Sequence, residues 1–234
     1  MKTETEKLTQ SQKEYFKRQI QLWGEDTQLK LAEKKIAIIG CGGLGCSLSL
    51  ALGASGIGTI DLVDFDEVNV HNIHRQVGFT TEDEGKNKAE ALKELIKKRS
   101  PFVEVNSFET DFNTFSITDD FYDLIIDATD NLMVREEIDR FSNEKNIPWL
   151  YGSVESFHGQ VCLFDKSSFS ASFTINDRKP EGIAAPIVMN IASLQANIAL
   201  RYLAELPVKK DTLHYCFFDN EGEFQIQKFI LPKD

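Results

Sequence analysis

Gly40-Cys41-Gly42-Gly43-Leu44-Gly45 is a G-x-G-x-x-G run between a β-branched burst, KIAIIG, and an uncharged helical stretch, LGCSLSLALGASG. Glycines at this spacing permit a tight turn and bring backbone N–H groups close to a phosphate at the positive end of a helix. The alternative is a merely tight strand-to-helix turn. Asp64, 19 residues beyond Gly45 at the end of the next strand, is placed to accept hydrogen bonds from a ribose. Asp66 either does the same or caps the following turn. Next come Asn72-Ile73-His74-Arg75-Gln76 and, in GKNK, Lys88. An arginine forks onto phosphate oxygens and a lysine acts as a point charge, so together they suit a triphosphate and the charge that develops on leaving pyrophosphate. Both also read as surface residues of a polar face. Asp127-Ala128-Thr129-Asp130-Asn131 closes a fourth strand, at the carboxyl edge where open α/β sheets hold ligands. An aspartate there can hold the Mg2+ that accompanies ATP, or cap the helix that follows.

The elements that must position these residues alternate. Residues 5–31 read as polar helices with scattered apolar positions (Leu8, Tyr15, Phe16, Ile20, Leu22). KIAIIG, TIDLVDFD, VEVNSFETDF, DLIIDATD and PWLYGSV read as strands, and LGCSLSLALGASG, GKNKAEALKELIKKRS and LMVREEIDRFSNEKN as helices between them. This order predicts an α/β fold, a doubly wound, Rossmann-like parallel sheet with right-handed crossovers. The last third changes character. GQVCLF and LHYCFFDNEGEFQIQKFIL read as antiparallel strands, the second a hairpin turned at Asn220 to Gly222. APIVMNIASLQANIALRYLAEL is a long amphipathic helix, and the weakly patterned stretch from Ser167 to Gly182 reads as a mobile loop.

Composition narrows the function classes. With 26 Lys plus Arg against 37 Asp plus Glu, the formal charge is -11, which disfavours a general grip on nucleic acid or anionic lipid. Any anionic ligand must be held by a few placed basic groups. The four cysteines, Cys41, Cys46, Cys162 and Cys216, include no C-x-x-C pair, and the charged N-terminus is no signal peptide, which fits a reducing cytoplasm. Ile36 to Ile60 carries no charged side chain, but seven glycines break it into strand, loop, helix and strand, so a membrane span is not expected.

Together these segments resemble the ThiF/MoeB/HesA family, whose fold is shared with the adenylation domains of ubiquitin-activating enzymes. The resemblance runs from FKRQI at Phe16 to Ile20, through IIGCGGLG, GIGTIDLVDFD, NIHRQ, GKNK and DATDN, to the C-terminal hairpin. It implies one adenylation domain over 1–234, comprising an N-terminal helical segment (1–31), a nucleotide-binding core (32–152) and a carrier-binding, antiparallel part (153–234). It also implies ATP with Mg2+, and a small ubiquitin-like sulfur-carrier protein ending in Gly-Gly, for thiamine or molybdopterin synthesis. By the same resemblance Gly40, Gly42, Gly43 and Gly45 line the phosphates, and Asp64 with Asp66 takes the ribose. His71, Asn72, Ile73, His74, Arg75 and Lys88 surround the nucleotide, with Asp130 on Mg2+ and Asn131 beside it. Arg18 matches an arginine that reaches into the neighbouring subunit's site, which implies a homodimer. Arg18, Arg75, Lys88 and Asp130 are thus the catalytic set, and the Ser167 to Gly182 loop covers the carrier tail.

The departures are specific. Many relatives bind structural zinc through two C-x-x-C pairs, and this chain reads Phe169-Ser170-Ala171-Ser172-Phe173 where the first pair falls, so no zinc is expected. The place of a loop cysteine is taken by the neighbourhood of Arg178. The four cysteines read as buried core. The readings still open at this point are an ATP-dependent enzyme acting on tRNA or a peptide, a nicotinamide-dependent oxidoreductase, and a binding module without activity. Arg75, Lys88 and the absence of an evident hydride-transfer site weigh against the oxidoreductase, and the intact Arg18, Arg75, Lys88 and Asp130 against the inactive module.

Overall fold

A computed structural model describes residues 7–116, 121–173 and 182–233. The N-terminal helices are α1 (Gln10–Tyr15), started by a reciprocal cap between Thr9 and Gln12, and α2 (Lys17–Ala32), broken at Gly24 where φ is 85°. Then follow β1 (Lys35–Ile39), α3 (Gly43–Gly53), β2 (Thr59–Val63), α4 (Lys88–Arg99), β3 (Glu104–Phe108), α5 (Phe112–Ser116), β4 (Leu124–Asp127), α6 (Leu132–Lys145) and β5 (Trp149–Glu155). The last elements are β6 (His158–Phe164), α7 (Phe169–Ser172), α8 (Ala185–Leu203), β7 (Thr212–Phe218) and β8 (Phe224–Ile230).

One eight-stranded sheet runs in the order β3-β2-β1-β4-β5-β6-β7-β8. The pairings from β3 to β5 are parallel and those from β5 to β8 antiparallel, as the change of sequence character predicts. Successive side chains of a strand face opposite sides. Ile36 and Ile38 of β1 therefore join α3, α4 and α8 in one core, through Leu48, Leu92 and Ile191, while Ala37 and Ile39 join α5, α6 and α7 in the other, through Phe115, Ile138 and Phe169. Because both faces are covered, β1, β2 and β4 are apolar almost throughout. From β1 the chain steps outward to β2 and β3, then returns to β4 and β5 on the other side. The direction reverses between β1 and β4, and their carboxyl ends, Ile39 and Asp127, lie in register. Ligands of doubly wound sheets bind at such a switch point.

Several expectations need correction. The third strand ends at Phe108, and Phe112 instead opens α5, its ring buried under α6 beside Phe141. Leu22 is 75% exposed, so the apolar positions of the N-terminal helices do not all pack inward. The expected mobile loop begins as ordered structure: Ser167 is buried and α7 seats Phe169 among Trp149, Tyr151, Phe164 and Phe173. Its remainder, 174–181 with Arg178, lies outside the described residues. The C-terminal hairpin divides its apolar residues between two faces. Cross-strand partners share a face, so Phe224 and Ile226, opposite Phe218 and Cys216, lie on one side, whereas Phe229, opposite Leu213, lies on the other. Leu213, Cys216 and Leu231 are its buried anchors. No described helix is long and apolar enough to cross a membrane.

Candidate nucleotide site

The G-x-G-x-x-G run forms the turn from β1 into α3, and two of its glycines are sterically obligatory. Gly40 has φ +91°, and a Cβ there would meet the Ala128 carbonyl oxygen at 2.8 Å. A Cβ on Gly45 would lie 2.1 Å from the Gly40 carbonyl oxygen. The turn is thus pressed against the end of β4, which leaves the first N–H groups of α3 facing the switch point. Gly45→Ala is expected to destabilise the fold by about 1–3 kcal/mol or more through backbone overpacking. Gly182→Ala, whose Cβ enters open space, should change little. Urea midpoints of the two variants check this.

Asp64 is half-buried at the end of β2 and braces the turn. Its Oδ2 accepts the Cys41 N–H at 2.6 Å and its Oδ1 accepts the Asp66 N–H at 2.8 Å. Burial pushes its carboxyl above the ordinary range, and these two bonds pull it back in part. Both oxygens serve the backbone. Asp66 faces Lys88. Its Oδ2 pairs with the Lys88 ammonium at 2.7 Å, and its backbone carbonyl accepts the Lys88 N–H at 2.9 Å. Lys88 is buried at the first position of α4.

The NIHRQ segment starts in a short 3-10 turn, Val70–Asn72, and curls over the mouth of the glycine turn. Arg75 and Gln76 both reach it: the Arg75 Cγ lies 3.7 Å from where a Gly43 side chain would begin, and its Nη1 lies 3.1 Å from His74 Nε2. His71 and His74 are exposed, whereas Ile73 packs on the core. Gln76, quoted in the motif but not picked out, is 3% exposed and lies beside Gly42, its Oε1 without a partner among the described residues.

On the other side of the switch point, Asn131 is the N-cap of α6, its Oδ1 accepting the Met133 N–H at 2.9 Å, so the capping role applies to it. Asp130 is exposed and makes no hydrogen bond or ion pair with a described residue. An exposed carboxylate after β4 is a donor that fits Mg2+, which takes one or two carboxylates plus substrate oxygens. Two positioning groups escaped the sequence reading. Arg135, buried in α6, bonds Asp127 Oδ2 at 3.0 Å and the carbonyls of Thr129 at 2.6 Å and Gly152 at 3.1 Å. Gln195, fully buried in α8, donates to the Asp127 carbonyl at 2.9 Å. The available signals were a polar residue inside the apolar stripe of α8 and a basic residue one turn beyond the DATDN cap.

Arg18 is not brought to this place. It hydrogen-bonds Gln21 on its own helix, while the adjacent Gln19 bonds the Ser55 carbonyl at the far end of α3. Eleven helical residues put that end about 16 Å from the glycine turn. The cysteines are all buried. Burial pushes the thiols of Cys41, Cys162 and Cys216 up, and that of Cys46 to about 12, so none offers a thiolate at neutral pH. Among the described residues no group of three or more His, Cys, Asp or Glu is arranged to hold a metal.

The chain is similar to several known proteins. The chain is 32% identical over 192 residues to the adenylyltransferase and sulfurtransferase MOCS3 of Dictyostelium discoideum, covering 77% of this chain and 45% of that protein. It is 28% identical over 218 residues to the molybdopterin-synthase adenylyltransferase of Haemophilus influenzae, covering 88% and 89%. The sulfur carrier protein ThiS adenylyltransferase of Escherichia coli is 29% identical, covering 76% of each chain. The chain therefore spans about half of the first of these relatives and most of the other two. Among solved structures, that of PaaA superposes with a TM-score of 0.81 at 25% identity, covering 99% of this chain and 77% of PaaA. E. coli MccB superposes at 0.84 and 22%, covering 94% and 71%, a likeness of fold. A glycine turn braced by Asp64, with Arg75 and Lys88 beside it and Asp130 across the switch point, occurs in a chain whose residues 16–232 match the ThiF family, and the chain belongs to that family.

Proposed function

We propose that this protein is an ATP-dependent adenylyltransferase that activates the C-terminal Gly-Gly carboxylate of a ubiquitin-like sulfur carrier, for thiamine or molybdopterin synthesis, in the cytoplasm. The observation that carries this reading is that Arg75 packs over Gly43 while a buried Lys88 pairs with Asp66, whose N–H bonds the Asp64 carboxylate that braces the glycine turn, in an otherwise acidic chain. The carrier carboxylate attacks the α-phosphorus of ATP. The bond from that phosphorus to the bridging oxygen breaks, pyrophosphate leaves, and the acyl-adenylate remains. Helix N–H groups at Gly43 and beyond cradle the phosphates, while Arg75 and Lys88 take up charge on the departing pyrophosphate. Asp130 holds Mg2+, which offsets phosphate charge when bound. No nucleophilic side chain is required, because positioning and electrostatics suffice.

The test is pyrophosphate exchange with ATP and Mg2+ in the presence of Gly-Gly-terminated carriers, with short peptides, tRNA and NAD as the other arms. Exchange that depends on a carrier supports the reading. NAD binding without any response to ATP overturns it.

The site also takes an arginine from a second copy in this reading. Arg18 lies beyond reach of its own glycine turn, so in a homodimer it serves the neighbouring site. Arg18→Ala and Asp130→Ala are each expected to be inactive, and mixing them should restore activity, since one site of a hybrid dimer carries neither lesion. Absence of rescue despite proven subunit exchange contradicts the shared site.

A further inference from the structure

We infer that Asp66 is a positioning residue, the counter-ion that holds Lys88 charged beside the glycine turn until the phosphates of ATP take its place. The inference rests on the reading above, in which Lys88 faces phosphate.

Lys88 stands where a lysine is costly. It is the first residue of α4, where the helix's own positive end repels a cation, and its side chain is only 6% exposed. An ammonium withdrawn from water needs a partner. The partner is asymmetric: Asp66 Oδ2 sits 2.7 Å away on a side chain that is 53% exposed. An apolar residue at position 88 would be at least as favourable for packing, so the pair does not owe its presence to stability. Asp66 is moreover fixed from both sides. Its N–H donates to Asp64, which braces Cys41 in the turn, and its carbonyl accepts both the Lys88 N–H and the Asn87 Nδ2 group. A chain of hydrogen bonds therefore sets the ammonium relative to the turn. Because its carboxylate is open to solvent, Asp66 can release the ammonium to an arriving phosphate and be rehydrated without a buried charge being left alone.

The other groups facing Lys88 do not substitute for Asp66. From β2 there is Asp64, whose two oxygens are engaged by backbone. From the turn and α3 there are the thiols of Cys41 and Cys46, which burial keeps neutral. Asparagine at position 66 therefore leaves a buried ammonium without a counter-ion, and burial then favours the neutral amine. Since only the charged form meets phosphate, nucleotide affinity falls on the alkaline side.

The experiment uses the full chain. Calorimetry with a non-hydrolysable ATP analogue and Mg2+ is run at pH 6.5 and pH 9, and the Lys88 Nζ signal is titrated by NMR without nucleotide. For Asp66→Asn, analogue affinity is expected to be about tenfold or more weaker than wild type at pH 9 and within about threefold at pH 6.5. Asp66→Glu, which keeps the charge, should restore affinity at pH 9. An Nζ titration in folded Asp66→Asn that matches wild type overturns the inference alone. A titration that moves while analogue affinity ignores pH in both proteins shows that Lys88 does not face phosphate, and overturns the proposed function of that residue as well.

Discussion

Arg75→Ala is expected to lower carrier-dependent pyrophosphate exchange by about 100-fold or more, by analogy with the loss of one preorganised donor to developing charge. Arg75, whose Cγ lies over Gly43, has no carboxylate partner among the described residues, and its guanidinium meets His74. It therefore enters the reaction without first giving up an ion pair. Arg75→Lys keeps the charge but loses the planar fork, so it should recover only part of the rate. The melting temperature of Arg75→Ala should stay close to wild type, since no buried group depends on the guanidinium. Exchange near the wild-type rate in a folded Arg75→Ala protein means that the phosphates sit elsewhere.

Arg135→Met is expected to destabilise the protein by about 3–5 kcal/mol, because it strips the partner from a fully buried carboxylate. Asp127 is 0% exposed. Burial pushes its carboxyl up, with Arg135 and the Thr129 bonds opposing that shift. The same substitution frees the Thr129 and Gly152 carbonyls and loosens the segment that carries Asp130. Asp127→Asn in the Arg135→Met background should regain part of the loss, since the uncompensated charge is gone. Urea unfolding of the single and double variants measures both effects. A single-variant change below about 1 kcal/mol would show that the pair is hydrated and contributes little.

The aromatic group around Phe169 bears on assembly of the C-terminal part. Trp149 and Phe164 stack at 4.7 Å, Phe169 and Phe173 at 4.7 Å, and the Trp149 indole and the Phe169 N–H both bond the buried Asp139. Phe169 and Phe173 occupy the stretch where zinc-bearing relatives are expected to carry their first cysteine pair, and here apolar burial joins α7 to β5 and β6. Asp211 completes the arrangement by accepting the N–H groups of Asp165, Lys166 and Ser167, which fixes the exit of β6.

What the sequence determined by itself was local and periodic. The apolar bursts of β1, β2 and β4 had to be covered on both faces, the glycines of the 40–45 turn had to follow a strand and open a helix, and the change from GQVCLF onward to alternating, turn-bounded segments meant antiparallel pairing. Those signals are carried by residues adjacent in the chain, so the parallel and antiparallel parts of the sheet and the order of the site motifs could be read. The tertiary structure decided what depends on distant partners. Lys88 meets Asp66 from 22 residues away, Gln195 reaches Asp127 from 68 away, and Arg135 joins Gly152 across two elements. The hairpin faces also depend on pairing register, which divides Phe224 and Ile226 from Phe229. No periodicity encodes such pairings: whether a charged side chain is a solvated surface group, a buried brace or a phosphate ligand depends on what folding brings within about 3 Å of it, where desolvation and hydrogen bonding together fix its role.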